Sequence, residues 1–277
     1  MSTAETTDSP ELDAFLSALD LRPVGDGEFE GSNTAEGHGV IFGGQLLAQT
    51  IVAAARSTEG KRVRSVQTVF ARGGSRDAGV TLRVEPMHTG RSFASATVSA
   101  VQGQRLCCRS LVLLDAPDDD LVHHEVPMPD ASAPPSDALD GWWQVATVDG
   151  IQLTDPAQGP PELGVWTRFP GAPDDLVTAQ AMLAYASDGF LIGTAMRPHQ
   201  GLDQSMAHVS VATTVLTHAI SFHEPFDAGG WLLLSHESTH AAEGRAHGRA
   251  VVHTADGRHV ASFVQDSMLR SMATGTS

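Results

Sequence analysis

The chain holds only two cysteines, Cys107 and Cys108, and they are adjacent. Neighbouring cysteines are poorly placed for an ordinary disulfide with each other. A reduced, cytosolic setting is therefore expected, not a disulfide-stapled secreted one. Basic residues are also scarce: 17 Lys and Arg stand against 33 Asp and Glu, a net charge of −16. That balance argues against a nucleic-acid binder, whose footprint is basic, and against an anionic membrane surface. An anionic small ligand stays compatible, since a local arginine cluster can override the global field. No apolar run approaches the ~20 residues of a membrane span. The opening MSTAETTDSPELDAF lacks the basic and apolar regions of a signal peptide. There is no GxSxG elbow and no phosphate loop, and neither cysteine sits in a motif suggesting a nucleophile.

What is present is a globular composition, 41% hydrophobic over 277 residues, enough for one large or two small domains. The stretch from Thr178 to Met196, TAQAMLAYASDGFLIGTAM, predicts a helix of about five turns with no face suited to water. One charge interrupts it, Asp188. An ionised carboxylate among apolar groups costs several kcal/mol unless it is paired or hydrogen-bonded. Asp188, followed by Gly189, either ends the helix at a wet crevice or is a catalytic carboxylate held on a buried helix. A second helix is predicted over 41–57, with Gly43 and Gly44 at its start, where small residues permit a tight entry or the approach of a ligand to free amides. Ahead of it, 11–21 has helical spacing with Ser9 as cap and Pro10 at the first position, residues 1–10 read as frayed, and 22–40 reads as turns with one short strand.

Four strand-like runs follow each long helix: 63–73, 79–90, 91–103 and 104–116, then 212–226, 230–244, 245–257 and 258–270. Short Gly-containing turns between them imply an antiparallel sheet. Between the halves, residues 116–140 contain five prolines and six aspartates and read as a linker. The halves are one unit written twice. Phe70 and Glu85 match Phe222 and Glu237 at one spacing; Arg91 and Gly103 match Arg245 and Gly257 at another, two residues longer. A fifth strand in each copy would come from the segment before the helix. An apolar helix followed by an antiparallel meander buries itself only if the sheet wraps around it. Alignment of the copies sets Val52 opposite Asp188 and Leu111 opposite Gln265, so the second copy carries polar groups where the first is apolar.

Phe42-Gly43-Gly44-Gln45, Ala48-Gln49, Gly90-Arg91-Ser92-Phe93, His218, Phe222-His223 and Val264-Gln265-Asp266 together resemble the acyl-CoA thioesterase II family, over most of the chain. The resemblance implies an α+β double hotdog: two tandem copies of a long helix wrapped by an antiparallel sheet. On that reading residues 1–115 form one hotdog, 116–140 the linker and 141–277 the other. It further implies hydrolysis of fatty acyl-CoA thioesters without metal or cofactor, and a cytoplasmic homo-oligomer of double hotdogs. The family's site combines an Asp on the second helix, a Ser or Thr on the next strand and a Gln on the last. Asp188 and Gln265 match the first and third. The hydroxyl position, three before His218, holds Val215, so Thr217 is expected to substitute, being two residues on and on the same face of a strand; Thr214 is the alternative. Gly43 and Gly44 would offer amides to the thioester oxygen, and Arg91 or Arg72 would meet CoA phosphates.

His236-Glu237-Ser238-Thr239-His240 matches the zinc motif HExxH letter by letter. On a helix its two His would converge on one metal. On a strand, as expected here, they stand ~13 Å apart, too far for one ion. Two further functions stay open: a non-catalytic acyl-CoA-binding protein, or a hotdog hydratase or dehydratase. The latter usually pairs an Asp with a nearby His, and Asp188 has none close in sequence.

Overall fold

The computed structural model describes residues 9–34, 39–136 and 139–272. Helix α1 (Pro10–Leu19) starts as its sequence predicts: Ser9 Oγ accepts from Leu12 N, Pro10 opens the first turn, and Leu12, Phe15 and Leu19 are buried. The fraying expected for the first residues lies outside the described residues. Two short strands, β1 (Arg22–Gly25) and β2 (Glu28–Gly31), follow where one was expected. Helix α2 spans Gly43–Arg56. Strands β3 (Arg62–Phe70), β4 (Val80–Thr89), β5 (Phe93–Gln102) and β6 (Arg105–Asp115) complete the first copy.

The second copy opens with two strands as well, β7 (Gln144–Thr147) and β8 (Glu162–Arg168). The helix expected over 178–196 is two helices, α3 (Leu176–Ser187) and α4 (Leu191–Met196), broken at Asp188. The cause is local. Ser187 Oγ takes the carbonyl of Ala184 at 2.9 Å, and Gly189 N bonds Ala186 O at 3.2 Å, closing the last turn early. Strands β9 (Val211–Phe222), β10 (Leu232–Ala242), β11 (Arg245–Thr254) and β12 (His259–Ser271) end the chain.

All twelve strands form one antiparallel sheet in the order β1-β2-β4-β5-β6-β3-β9-β12-β11-β10-β8-β7. The copies meet at β3 and β9, whose pairing (Val66 with Ile220, Thr68 with His218) makes the sheet continuous. Residues of period two point inward onto α2 and α3, which pack against each other. Gly44 meets Tyr185 at one end of this pair, while Val52 lines a cleft with Val177 at the other, so the helices run antiparallel. This is the double hotdog.

The described residues of the segment 116–140 have no regular structure but are tied to the second copy. His253 Nε2 bonds Val126 O at 2.8 Å, His259 N donates to Glu125 at 3.1 Å and Trp166 Nε1 donates to Ser132 O at 2.9 Å.

Two neighbouring inward rows position the site. One is apolar: Phe263, Ile220, Val66 and Val112, paired in turn across β12, β9, β3 and β6. The next is polar: Gln265, His218, Thr68 and Ser110, all buried. Thr68 and Ser110 satisfy each other at 2.8 Å.

Candidate active site

Asp188 is the C-terminal cap residue of α3 and is 7% exposed. The two readings of the sequence both hold in part: Asp188 does end the helix, and it is buried. Its neighbour is the start of α2. A Cβ on Gly43 would lie 2.7 Å from Asp188 Oδ2, and one on Gly44 would lie 2.4 Å from Tyr185 O. The glycine pair therefore exists for close approach of one helix start to the other helix's end. Burial pushes the Asp188 carboxyl up to about 7, and the amide of Gly44, which hydrogen-bonds the carboxylate, pulls it back. Its Oδ1 has no hydrogen-bond partner among the described residues. A carboxylate with one oxygen anchored, the other unpartnered and its proton equilibrium near neutrality is suited to general-base work.

A row of aromatics fixes the end of α3. Tyr185 packs against Phe15, Phe42, Trp142 and Trp143, with centroids between 4.8 and 5.6 Å. Helix α1 is thus part of the support for Asp188, because Phe15 is one wall of that cluster.

Ser187 links Asp188 to the sheet. Its Oγ donates to Ala184 O and lies 2.9 Å from His218 Nε2, so the imidazole is the donor. Burial lowers His218 to about 4, which keeps it neutral, and its Nδ1 has no protein partner. Gln265 sits beside His218 across the β9–β12 ladder, on the same inward row. Its Nε2 donates to Ser267 Oγ at 2.8 Å, and its Oε1 has no protein partner. Three unpartnered buried acceptors, on Asp188, His218 and Gln265, thus belong to one connected set of residues. Unpartnered buried acceptors occur elsewhere too, on Gln49, Gln180 and His236 among others, so what suits this place to a polar ligand is that three of them are linked through Ser187 and the β9–β12 ladder.

The expected face of Thr217 was wrong. A bulge at Leu216 breaks the two-residue period: Asp266 pairs with Thr217, but Ser267 pairs with Val215. Thr217 therefore shares a face with Asp266, not with Gln265. Its hydroxyl donates to Asp266 Oδ2 at 2.7 Å, and Asp266 Oδ1 contacts His247 Nδ1 at 3.0 Å. Thr214 is exposed. Val215 adds no hydroxyl. Arg91 and Arg72 lie on exposed turns, and no contact joins either to Asp188. The ladders also correct the pairing of the copies. Val66, the counterpart of His218, faces Val112, so Val112 stands where Gln265 does, while Leu111 is exposed.

The HExxH letters lie on β10, a strand. His236 is buried and donates from Nδ1 to Leu163 O at 3.0 Å, with its ring against Phe190 and Phe263. Glu237 bonds Arg249 across the ladder, and His240 is exposed. The motif's residues face different surroundings. Ser187 and Ser267 went unassigned in the sequence, although each carried a signal: Ser187 precedes Asp188, and Ser267 alternates with Gln265.

The fold is that of the double hotdogs, with the buried Asp188 carboxylate and the buried Gln265–His218 pair both in the second copy. The comparisons narrow this. Residues 117–269 match the model of the acyl-CoA thioesterase C-terminal domain, and residues 32–114 match that of the acyl-CoA thioesterase N-terminal domain. The chain belongs to the acyl-CoA thioesterase family and, with it, to the thioester hydrolases. It is 27% identical to acyl-CoA thioesterase 2 of Haemophilus influenzae over 94% of this chain and 98% of that protein. Against human acyl-coenzyme A thioesterase 8 the identity is 28%, over 91% of this chain and 87% of that one. An acyl-CoA thioesterase II from Mycobacterium marinum superposes with a TM-score of 0.80 at 28% identity, covering 95% of this chain and 100% of its own.

Proposed function

We propose that the protein hydrolyses fatty acyl-CoA thioesters to free fatty acid and CoA, with water as nucleophile and Asp188 as general base. The observation that supports this most is the buried Asp188 carboxylate, anchored at Oδ2 by the α2 start and unpartnered at Oδ1. Asp188 takes one proton from water as the oxygen bonds the thioester carbonyl carbon. Gln265 Oε1 accepts the water's other hydrogen and fixes its direction of attack. The carbonyl oxygen becomes an oxyanion beside the backbone amide of Gly43 at the α2 start. The C–S bond then breaks, and the proton held by Asp188 passes to the departing thiolate. Buried, neutral His218 holds Ser187 and lines the polar row without a charge of its own.

The test is release of free thiol from acyl-CoAs of graded chain length. Wild-type turnover with loss of at least about a hundredfold in Asp188→Ala is expected. Turnover unchanged in Asp188→Ala would sink the mechanism. Saturable binding without thiol release would sink hydrolysis itself.

The cytoplasmic setting is supported by Cys107 and Cys108 being free and buried. Among the described residues no helix is long and apolar enough to cross a membrane. A homo-oligomer is supported by exposed apolar residues on the outer sheet face, where Leu111 and Val264 occupy one row across β6, β3, β9 and β12.

A further inference from the structure

Resting on the hydrolytic reading above, we propose that Ser267 is the positioning residue of Gln265 and the hydroxyl of this site, presented from β12 where Val215 presents none from β9. Four observations carry this. Ser267 is 2% exposed, and its row neighbours are Ala246 on β11 and Val215 on β9, both apolar. A buried hydroxyl between two apolar side chains is unfavourable unless it has a partner, and an Ala or Val would fill the place better. Its partner is the Gln265 amide, whose Nε2 donates to Ser267 Oγ at 2.8 Å. An amide has a donor end and an acceptor end. Engaging Nε2 sets its roll and leaves Oε1 as the end that meets the nucleophilic water.

The second observation is the geometry of the strand pair. Gln265 and Ser267 alternate, so they share the inward face, and the bulge at Leu216 brings Ser267 directly opposite Val215. A hydroxyl at either member of that pair enters the same row beside the Gln265–His218 row. The third is that the hydroxyl expected from the sequence, on Thr217, is committed to Asp266 on the other face. The fourth is that Ser267 Oγ accepts from Gln265, so its own hydrogen points to a different acceptor. Gln265 touches the water; Ser267 acts through Gln265.

The experiment measures kcat and KM for thiol release in six forms of the full chain, Asp188→Ala among them. Ser267→Ala is expected to lower kcat at least about tenfold with KM nearly unchanged, the loss of one hydrogen bond that orients the nucleophile. The pair Ser267→Thr and Ser267→Val differs only in the hydroxyl. Thr is expected to retain most activity, and Val to behave as Ala does. Ser267→Ala combined with Val215→Ser is expected to recover part of the loss, because the hydroxyl returns from the opposite strand. Equal activity of the Thr and Val forms, or a Ser267→Ala kcat within about twofold of wild type while Asp188→Ala is inactive, overturns the role of Ser267 and leaves hydrolysis standing. No thiol release by the unaltered chain overturns hydrolysis, and the role of Ser267 with it.

Discussion

Ionising Asp188 carries a stability cost that its pH dependence should expose. Its folded-state value of about 7 lies above the ordinary 3.8. Between these values the native state binds more protons than the unfolded chain, so the contribution of Asp188 to stability falls as pH rises from about 4 to about 7. The total is on the order of 4 kcal/mol. Asp188→Asn removes the charge but keeps an acceptor for the Gly44 amide. The stability gap between Asp188→Asn and wild type, from urea unfolding, should therefore widen from pH 4 to pH 7 in favour of the variant and then stay level. Buried His218 and His236 have the opposite slope, since each is lowered to about 4, but they are common to both proteins and cancel in the difference. The same carboxylate predicts that kcat/KM rises through a midpoint near 7 as it ionises. A flat gap, or a flat pH profile, would contradict the burial of Asp188. At this scale Asp188 was legible because charge in an apolar run is costly wherever it falls. Thr217 was misplaced because its face depended on an uninterrupted period of two, which the bulge at Leu216 breaks.

At the scale of elements, the start of α2 and the end of α3 form one device. The two glycines have different tasks within it. A side chain at Gly43 meets Asp188 Oδ2 at 2.7 Å, the end of a side chain, and the Phe70 ring at 3.3 Å. A side chain at Gly44 meets Tyr185 backbone, at 2.4 Å from O and 3.0 Å from Cα. Gly43→Ala should therefore fold with near-native stability and lose activity, since the carboxylate yields and moves. Gly44→Ala should lose about 1–3 kcal/mol, because backbone does not yield cheaply. Thermal unfolding and thiol release on the two variants separate these outcomes; equal behaviour would refute the division of roles. The position of α2 was readable from its glycines and apolar content. The break between α3 and α4 was not, because propensity does not report that Ser187 takes the Ala184 carbonyl and that Gly189 closes the turn.

For the whole molecule, the junction between copies is where stability and site geometry meet. Beyond the β3–β9 ladder, Arg64 of the first copy bonds Asp115 at 2.6 Å and the carbonyls of Phe222 and His223 in the second at 2.9 and 2.7 Å. It lies at the edge of the same strands that carry His218 and, through the ladder, Gln265. Arg64→Met should cost about 2–3 kcal/mol, since two carbonyls and part of a carboxylate lose a charged donor. A change below about 0.5 kcal/mol in denaturant unfolding would show that the ladder alone joins the copies. The copies are not equivalent as sites. A surface cleft of about 410 Å³ lies beside Val52, the counterpart of Asp188, and is flanked by Arg56 and Asp175. Its wall has no buried carboxylate.

The sequence by itself determined the repeat, the two buried helices and eight of the strands, and it singled out Asp188 and Gln265 as polar where the other copy is apolar. Those rest on local patterns: hydrophobic periodicity, turn residues and the cost of a charge in an apolar run. Only the tertiary structure decided which hydroxyl stands by Gln265, what the glycine pair touches, and that the polar row passes through His218 to Thr68 and Ser110. Each of these depends on register between strands or on the distance between two helices. A single inserted residue, Leu216 at its bulge, reverses the facing of Thr217, and no property of that residue read along the chain announces it.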